Sequence, residues 1–343
     1  MPDIELNYLT ATDMLQRFRD GSLSPVEVME AMISRTDAVN HDINALSHRF
    51  FDDALQQARA AESRYARGCP MGPLDGIPVA IKDESFVKGM PCTGGSLTTR
   101  DQIAEYTSPY NQRILDAGGI PHVRTTTPEF SCSGVTWSKL WGITRNPWNP
   151  DFTPGGSSGG ASASLASGMT TLAMGSDIGG SIRIPASAGG VLGFKPPYGR
   201  NPEDPPFNLD VYCHNGPMAR SVSDIILLQN VLAGPHPRDI ASLKPKLILP
   251  ESYAGIRGWK IAYSLDLGFY EVEPEVRENT LAALEVFRDL GAIVEEVKIP
   301  WTDEVIQTGL DYLNHLFGFS MLEQYEKHGD LLTPYAAQFA RRG

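Results

Sequence analysis

An α/β architecture is the fold class this 343-residue sequence predicts, and three observations predict it. Short apolar runs bounded by glycine or proline alternate with helical segments. Gly76 and Pro78 bracket Val79-Ala80-Ile81, a helix follows over about 108–117, and a Gly118-Gly119 stop leads into a strand over about 120–124. Such alternation builds sheets with parallel strands. The mixture of 41% apolar and 20% charged residues excludes disordered, collagenous and disulfide-rich mini-protein classes. The length suits one large domain or two ordinary ones and is enough to bury a sizeable core.

Taken in order, residues 1–67 read as a helical segment. Ser24-Pro25-Val26-Glu27 is a capping box with proline at the first helical position, and Val28, Met29, Met32 and Ile33 then fall on one face. Residues 51–67 form a further helix. Residues 125–154, which include NPWNPDFTP, have no period and read as loop. Residues 155–193 change character: 11 are Gly, 8 Ser and 6 Ala, and Asp177 and Arg183 are the only charges. A flexible linker would have that composition. The strand candidates Leu172-Ala173-Met174 and Val191-Leu192-Gly193-Phe194 argue against one, because small residues between strands let backbone approach backbone or substrate. Beyond residue 215, Ser221 can cap a helix over 222–234 and Trp259–Tyr263 reads as a strand. Pro274 opens a helix that Gly291 ends, residues 292–297 form the next strand, and residues 303–328 are helical. One domain over 1–343 is expected, with a catalytic core over 68–215 and a remaining α/β part over 216–343.

Charge and composition exclude several functions. The net charge of −12 weighs against nonspecific nucleic-acid binding. Mean hydropathy is −0.21 and no run of 18 apolar residues occurs, so no membrane partner is expected. The N-terminus does not read as a signal peptide. The four cysteines (Cys69, Cys92, Cys132, Cys213) lie far apart and suggest free thiols in a reducing compartment, hence a cytoplasmic location. Phosphate-loop, dinucleotide and H-E-x-x-H motifs are missing, and the seven histidines lack ligand spacing, so no metal or cofactor is expected.

Two serine clusters could carry chemistry. Gly156-Ser157-Ser158-Gly159-Gly160 matches a nucleophile elbow centred on Ser158, but an elbow follows a strand and Asp151-Phe152-Thr153-Pro154-Gly155 is a turn. Asp177-Ile178-Gly179-Gly180-Ser181-Ile182-Arg183 is more informative because it follows a strand candidate. The N–H groups of Ile178, Gly179, Gly180 and Ser181 could converge on one oxygen, the donor arrangement that acyl transfer needs. A serine nucleophile also needs a base. Lys82 ends the apolar run 79–81, where partial desolvation would lower its pKa and make the neutral amine a base. On its own it would more often be a solvated strand-end lysine.

Together these residues resemble the amidase signature family. Residues 155–193 are similar to its glycine- and serine-rich stretch almost end to end, and Gly76-Ile77-Pro78-Val79-Ala80-Ile81-Lys82-Asp83 to its lysine motif. Residues 144–150 (TRNPWNP) and 216–222 (GPMARSV) match flanking motifs. The resemblance implies a mixed central sheet covered by helices on both faces. It also implies a Ser–Ser–Lys triad, with Ser181 as nucleophile, Ser157 as the bridging serine on a cis peptide, and Lys82 as base. Asp177 and Arg183 would position the loop, and Ser158 would support the relay. No cofactor is implied. Three places depart from the family pattern: Glu84 and Thr126 stand where asparagine is usual, and Pro197 stands for threonine. The family usually continues beyond the point where this chain stops, so the chain is expected to be short at its C-terminus. The N-terminal helices would pack on the sheet or make a homodimer contact. The leading expectation is an amide hydrolase acting on a small amide with an apolar or aromatic acyl part, with carbamates or esters as variants. That preference is read from Phe130, Trp137, Trp141, Phe207 and Tyr212. The alternatives are the amidase subunit of a glutamyl-tRNA amidotransferase, against which Ile178 argues because threonine is usual there, and an inactive scaffold.

Overall fold

The computed structural model describes residues 4–343 and contains a six-stranded mixed sheet. Its strands lie in the order Leu46–Arg49, Ile120–Thr125, Pro78–Lys82, Leu172–Asp177, His214–Ala219, Leu192–Gly193. The three central strands run parallel, and the outer pairings are antiparallel.

Successive side chains of a strand point to opposite faces, and both faces here are covered. Val79, Ile81, Leu172 and Met174 pack on one side with Leu15, Phe18, Met32, Ile114 and Leu228. These come from the helices Ala11–Asp20, Pro25–Ile43, Pro109–Asp116 and Val222–Leu232. Ala80, Ala173 and Met218 face the other side with Ala161, Leu165 and Ala186, from the helices Gly159–Ala166 and Arg183–Gly189. A central strand apolar on both faces reads as a continuous run rather than an alternation, which is why Val79-Ala80-Ile81 is legible in the sequence.

Local signals act as the sequence suggests. The Ser24 hydroxyl accepts from Val26 N–H while Glu27 Oε2 accepts from Ser24 N–H at 2.8 Å. Ser221 caps its helix by accepting from Asp224 N–H. The glycine- and serine-rich stretch is no linker: it holds one helix, a core strand and a second short helix. Gly160 shows why the small residues are there. A Cβ at this position would lie 2.6 Å from the Ala45 carbonyl oxygen and 2.5 Å from Thr126 N.

The expectation that residues 1–67 are wholly helical needs one correction. Asn44 ends the Pro25–Ile43 helix in the left-handed region at φ 54°, and the chain emerges as the edge strand Leu46–Arg49, antiparallel to Ile120–Thr125. Four residues without apolar alternation give no signal for it. His214–Ala219, fully buried, is a second strand that the sequence pattern does not announce.

The chain forms two compact units. One runs to Leu249 and takes in Met321–Gln338; the other comprises Pro250–Ser320 and Phe339–Gly343. The second unit pairs Lys260–Tyr263 in parallel with Ile293–Glu296, joined through the helix Pro274–Asp289, as the sequence suggests. No helix among the described residues is long and apolar enough to cross a membrane. All four cysteines are free.

Gly160→Ala should lower unfolding free energy by about 1–3 kcal/mol, because an inserted methyl must push the Ala45 or Thr126 backbone aside. Urea titration of the two proteins checks this, and equal midpoints would contradict the packing argument.

Candidate active site

Lys82 is the last residue of its strand and shares the face of Ala80, towards the Gly159–Ala166 helix. Only 1% of it is exposed. Its amine meets three oxygens: Ser157 Oγ at 2.7 Å, Ser176 Oγ at 2.8 Å and Glu84 Oε1 at 3.1 Å. Burial pushes the Lys82 ammonium to lower pKa, and the Glu84 carboxylate opposes this without cancelling it. Glu84 is itself held below the usual carboxylate range. Burial pushes it up, but the Lys82 charge and hydrogen bonds from Ser131, Ser176 and Lys82 outweigh burial, and about a fifth of its side chain remains exposed.

Ser157 and Ser158 are fully buried, and the Gly156–Ser157 peptide is cis. Ser158 stands at the N-terminal edge of the Gly159–Ala166 helix with no strand before it, so the elbow geometry is not formed. Its N–H donates to the Ser181 carbonyl at 3.1 Å and its hydroxyl to the Ser176 carbonyl at 3.4 Å. The two serine clusters are therefore joined through backbone. Among the described residues the Ser181 hydroxyl makes no hydrogen bond, so the structure brings Lys82 to Ser157 but contains no Ser157–Ser181 side-chain link.

The loop over 178–181 is organised by Asp177. Its buried carboxylate accepts from Gly180 N–H at 2.9 Å, Ile182 N–H at 3.1 Å and Arg183 N–H at 3.2 Å, and grips the half-exposed Arg183 guanidinium at 2.7 and 3.0 Å. Burial raises the Asp177 carboxyl, but the Arg183 bonds and the backbone amides bring it below its ordinary value. One expected oxyanion donor is thereby lost. The Gly180 N–H, expected to face a substrate oxygen, is spent on Asp177, and the N–H groups of Ile178, Gly179 and Ser181 remain without acceptors among the described residues.

Ser131 carries no motif in the sequence, Ser176 is not singled out within the glycine- and serine-rich stretch, and Glu84 figures there only as a departure from pattern. The register Ala80 opposite Ala173 brings Lys82 alongside residues 175–176, a signal available only once the strands are paired. Ser131 donates a short hydrogen bond to Glu84 from a turn in which Phe130 and Ser131 both have positive φ. Glu129 secures that turn, accepting from Ser96 Oγ and from Thr333 N–H and Oγ1, each at 2.6 Å. Of the aromatic residues, Trp141 donates to Thr93 Oγ1 at 3.0 Å and meets His48 edge-on, and Trp137 packs on Tyr335. These two are loop anchors. No group of three or more metal-ligating side chains occurs among the described residues.

With this geometry in view, comparison with known proteins is decisive. The family model described as Amidase matches residues 27–340. The chain belongs to the Amidase family. It is 38% identical over 314 residues to a glutamyl-tRNA(Gln) amidotransferase subunit of Chloroflexus aurantiacus, covering 89% of this chain and 63% of that protein. It is 38% identical over 304 residues to an acylamidase of Rhodococcus erythropolis, covering 88% of this chain and 64% of that protein. The crystal structure of a bacterial aryl acylamidase of the amidase signature family superposes with a TM-score of 0.90 at 32% identity, covering 97% of this chain and 72% of that one. The chain thus spans less than two thirds of the length of these two sequence relatives. The mixed sheet with helices on both faces is the amidase signature fold.

Glu203 supplies a pH test of the site's surroundings. Burial pushes its carboxyl up to about 8, against hydrogen bonds from Asn215 Nδ2 and Asp204 N–H, while the charges of Asp204 and Glu84 add to the rise. The folded chain keeps this proton to about pH 8, whereas the unfolded chain releases it near the ordinary 4.5. The stability that this group contributes is therefore whole below 4.5 and is lost as pH rises towards about 8. Glu203→Gln should flatten the Tm-against-pH curve across that window; parallel curves for the two proteins would contradict the raised Glu203 carboxyl.

Proposed function

We propose that this chain is an amide hydrolase working through Ser181, Ser157 and Lys82. The observation that carries the reading is the buried Lys82 amine 2.7 Å from Ser157 Oγ, beside a loop with unspent backbone donors. Burial that disfavours the ammonium makes Lys82 a better base than an exposed lysine.

In this reading Ser181 Oγ attacks the amide carbonyl carbon. Its proton passes to Ser157, whose own proton passes to Lys82. The oxyanion is held by N–H groups of Ile178, Gly179 and Ser181. The C–N bond breaks as Ser157 returns a proton to the leaving amine and recovers one from Lys82. Water then cleaves the acyl-serine by the same relay and releases the acid. The relay requires the Ser181 hydroxyl to turn onto Ser157 Oγ; catalytic hydrogen bonds commonly tighten only once substrate is bound. Asp177 and Arg183 hold the loop, and Ser158 ties Ser181 to the Ser157 segment.

The substrate is a small amide with an apolar or aromatic acyl part. The similarity to proteins named acylamidase and aryl acylamidase supports an amide substrate, and the half-buried Phe130 and Phe207 support the apolar or aromatic acyl part. Carbamates and esters would meet the same attack. A cytoplasmic setting and a homodimer belong to this proposal. A second reading, the amidase subunit of a glutamyl-tRNA amidotransferase, is favoured by the 38% identity to a protein of that name; glutamine hydrolysis appearing only with a partner protein would establish it.

A fluorophosphonate should label Ser181, located by peptide mass spectrometry, and Lys82→Ala should slow labelling by about 100-fold or more. A label on Ser158, or an unchanged rate in Lys82→Ala, would contradict the triad.

A further inference from the structure

We propose that Glu84 is a positioning residue for Lys82: with Ser176 it occupies two of the amine's three outward directions and leaves the third facing Ser157 Oγ. The inference rests on the triad reading above. A neutral amine has two N–H groups and one lone pair. The three oxygens around Lys82 Nζ, at 2.7, 2.8 and 3.1 Å, accept the three N–H groups of an ammonium, and they suit the neutral amine once Ser176 and Glu84 accept and Ser157 turns its hydroxyl to donate. A carboxylate accepts only, so the Glu84 direction cannot take the lone pair. The Ser176 hydroxyl could either donate or accept, and the Glu84 carboxylate, which that hydroxyl helps to hold low, favours a Ser176 that accepts from Lys82 and turns its proton towards Glu84. Ser131 grips the other side of the carboxylate, and Glu129 with Thr333 holds the turn that carries Ser131. The amine is thereby oriented from three separate segments.

The carboxylate has a second effect. When Lys82 takes the proton that began on Ser181, an ammonium forms in a dry place, and Glu84 stabilises it. This favours proton uptake in the attack and raises the pH at which the resting amine becomes neutral. The other groups facing this pair are Asp177 and Cys213 towards Lys82, and Glu203, Cys213, Tyr110 and Cys92 towards Glu84. All of them remain when Glu84 alone is changed, and Glu203→Gln separates the titration of Glu203 from that of Lys82.

The test is the rate of fluorophosphonate labelling at Ser181 against pH. In that reaction the Ser181 Oγ–P bond forms, the P–F bond breaks with loss of fluoride, and Lys82 receives the proton through Ser157. The rate should rise with pH as Lys82 becomes neutral. Glu84→Gln removes the charge and should move this rise to lower pH by about one unit. Glu84→Asp keeps the charge at shorter reach and should leave the rise near its wild-type place while lowering the plateau. Glu84→Asn gives the same reading as Glu84→Gln if the latter does not fold. A rise at unchanged or higher pH in the uncharged variants, with Ser181 still labelled, overturns the role of Glu84 alone. Wild-type protein that takes no label on Ser181 overturns the triad and this role with it.

Discussion

An amine deprived of water at the end of a buried strand is the constraint around which this structure is organised. Lys82 is held there by the pairing of its strand with two parallel neighbours, one of which continues into the Asp177 loop. Burial of a lone ammonium is expensive, and two kinds of relief are available: lose the proton, or find oxygen partners. Lys82 draws on both. Three oxygens surround it, and burial still pushes its pKa below that of an ordinary lysine. In the proposed mechanism that combination suits a base rather than a structural charge.

The glycine- and serine-rich stretch follows from the same constraint. Bringing Ser157 and the 178–181 loop to the amine requires backbone to lie against backbone. Gly160 has no room for a Cβ between Ala45 and Thr126. Gly175 is similarly closed, with the Ser158 hydroxyl and Ile182 against it. Serines serve as small side chains that carry their own hydrogen bonds into the core: Ser164 and Ser167 donate to carbonyls of their own helix, and Ser162 donates to the Pro185 carbonyl. Asp177 then fixes the loop by accepting three backbone N–H groups.

What the sequence reveals is what local pattern encodes. Lys82 stands out because it ends an uninterrupted apolar run, and Ser157 and Ser181 because glycines flank them. The Ser24 and Ser221 caps are readable from four residues each. The edge strand Leu46–Arg49 is not, since four mixed residues carry no period and their pairing partner lies more than 70 positions away. Nor are the surroundings of Lys82. Its partners Ser176 and Glu84, and the Ser131 that holds Glu84, come from three segments, and only strand register and a positive-φ turn bring them together. Trp137 and Trp141 look like pocket residues in a sequence, yet long-range partners such as Tyr335 and Thr93 make them anchors.

The central claim is that the buried Lys82 amine titrates below an ordinary lysine. Nuclear magnetic resonance of protein carrying isotope-labelled lysine side chains, with the Lys82 signal assigned through a Lys82→Arg variant, measures this directly. A Lys82 midpoint well below the ordinary 10.5 is the predicted result. A midpoint at or above that value would show that the carboxylate of Glu84 outweighs burial, and Lys82 would then be a structural cation rather than a base.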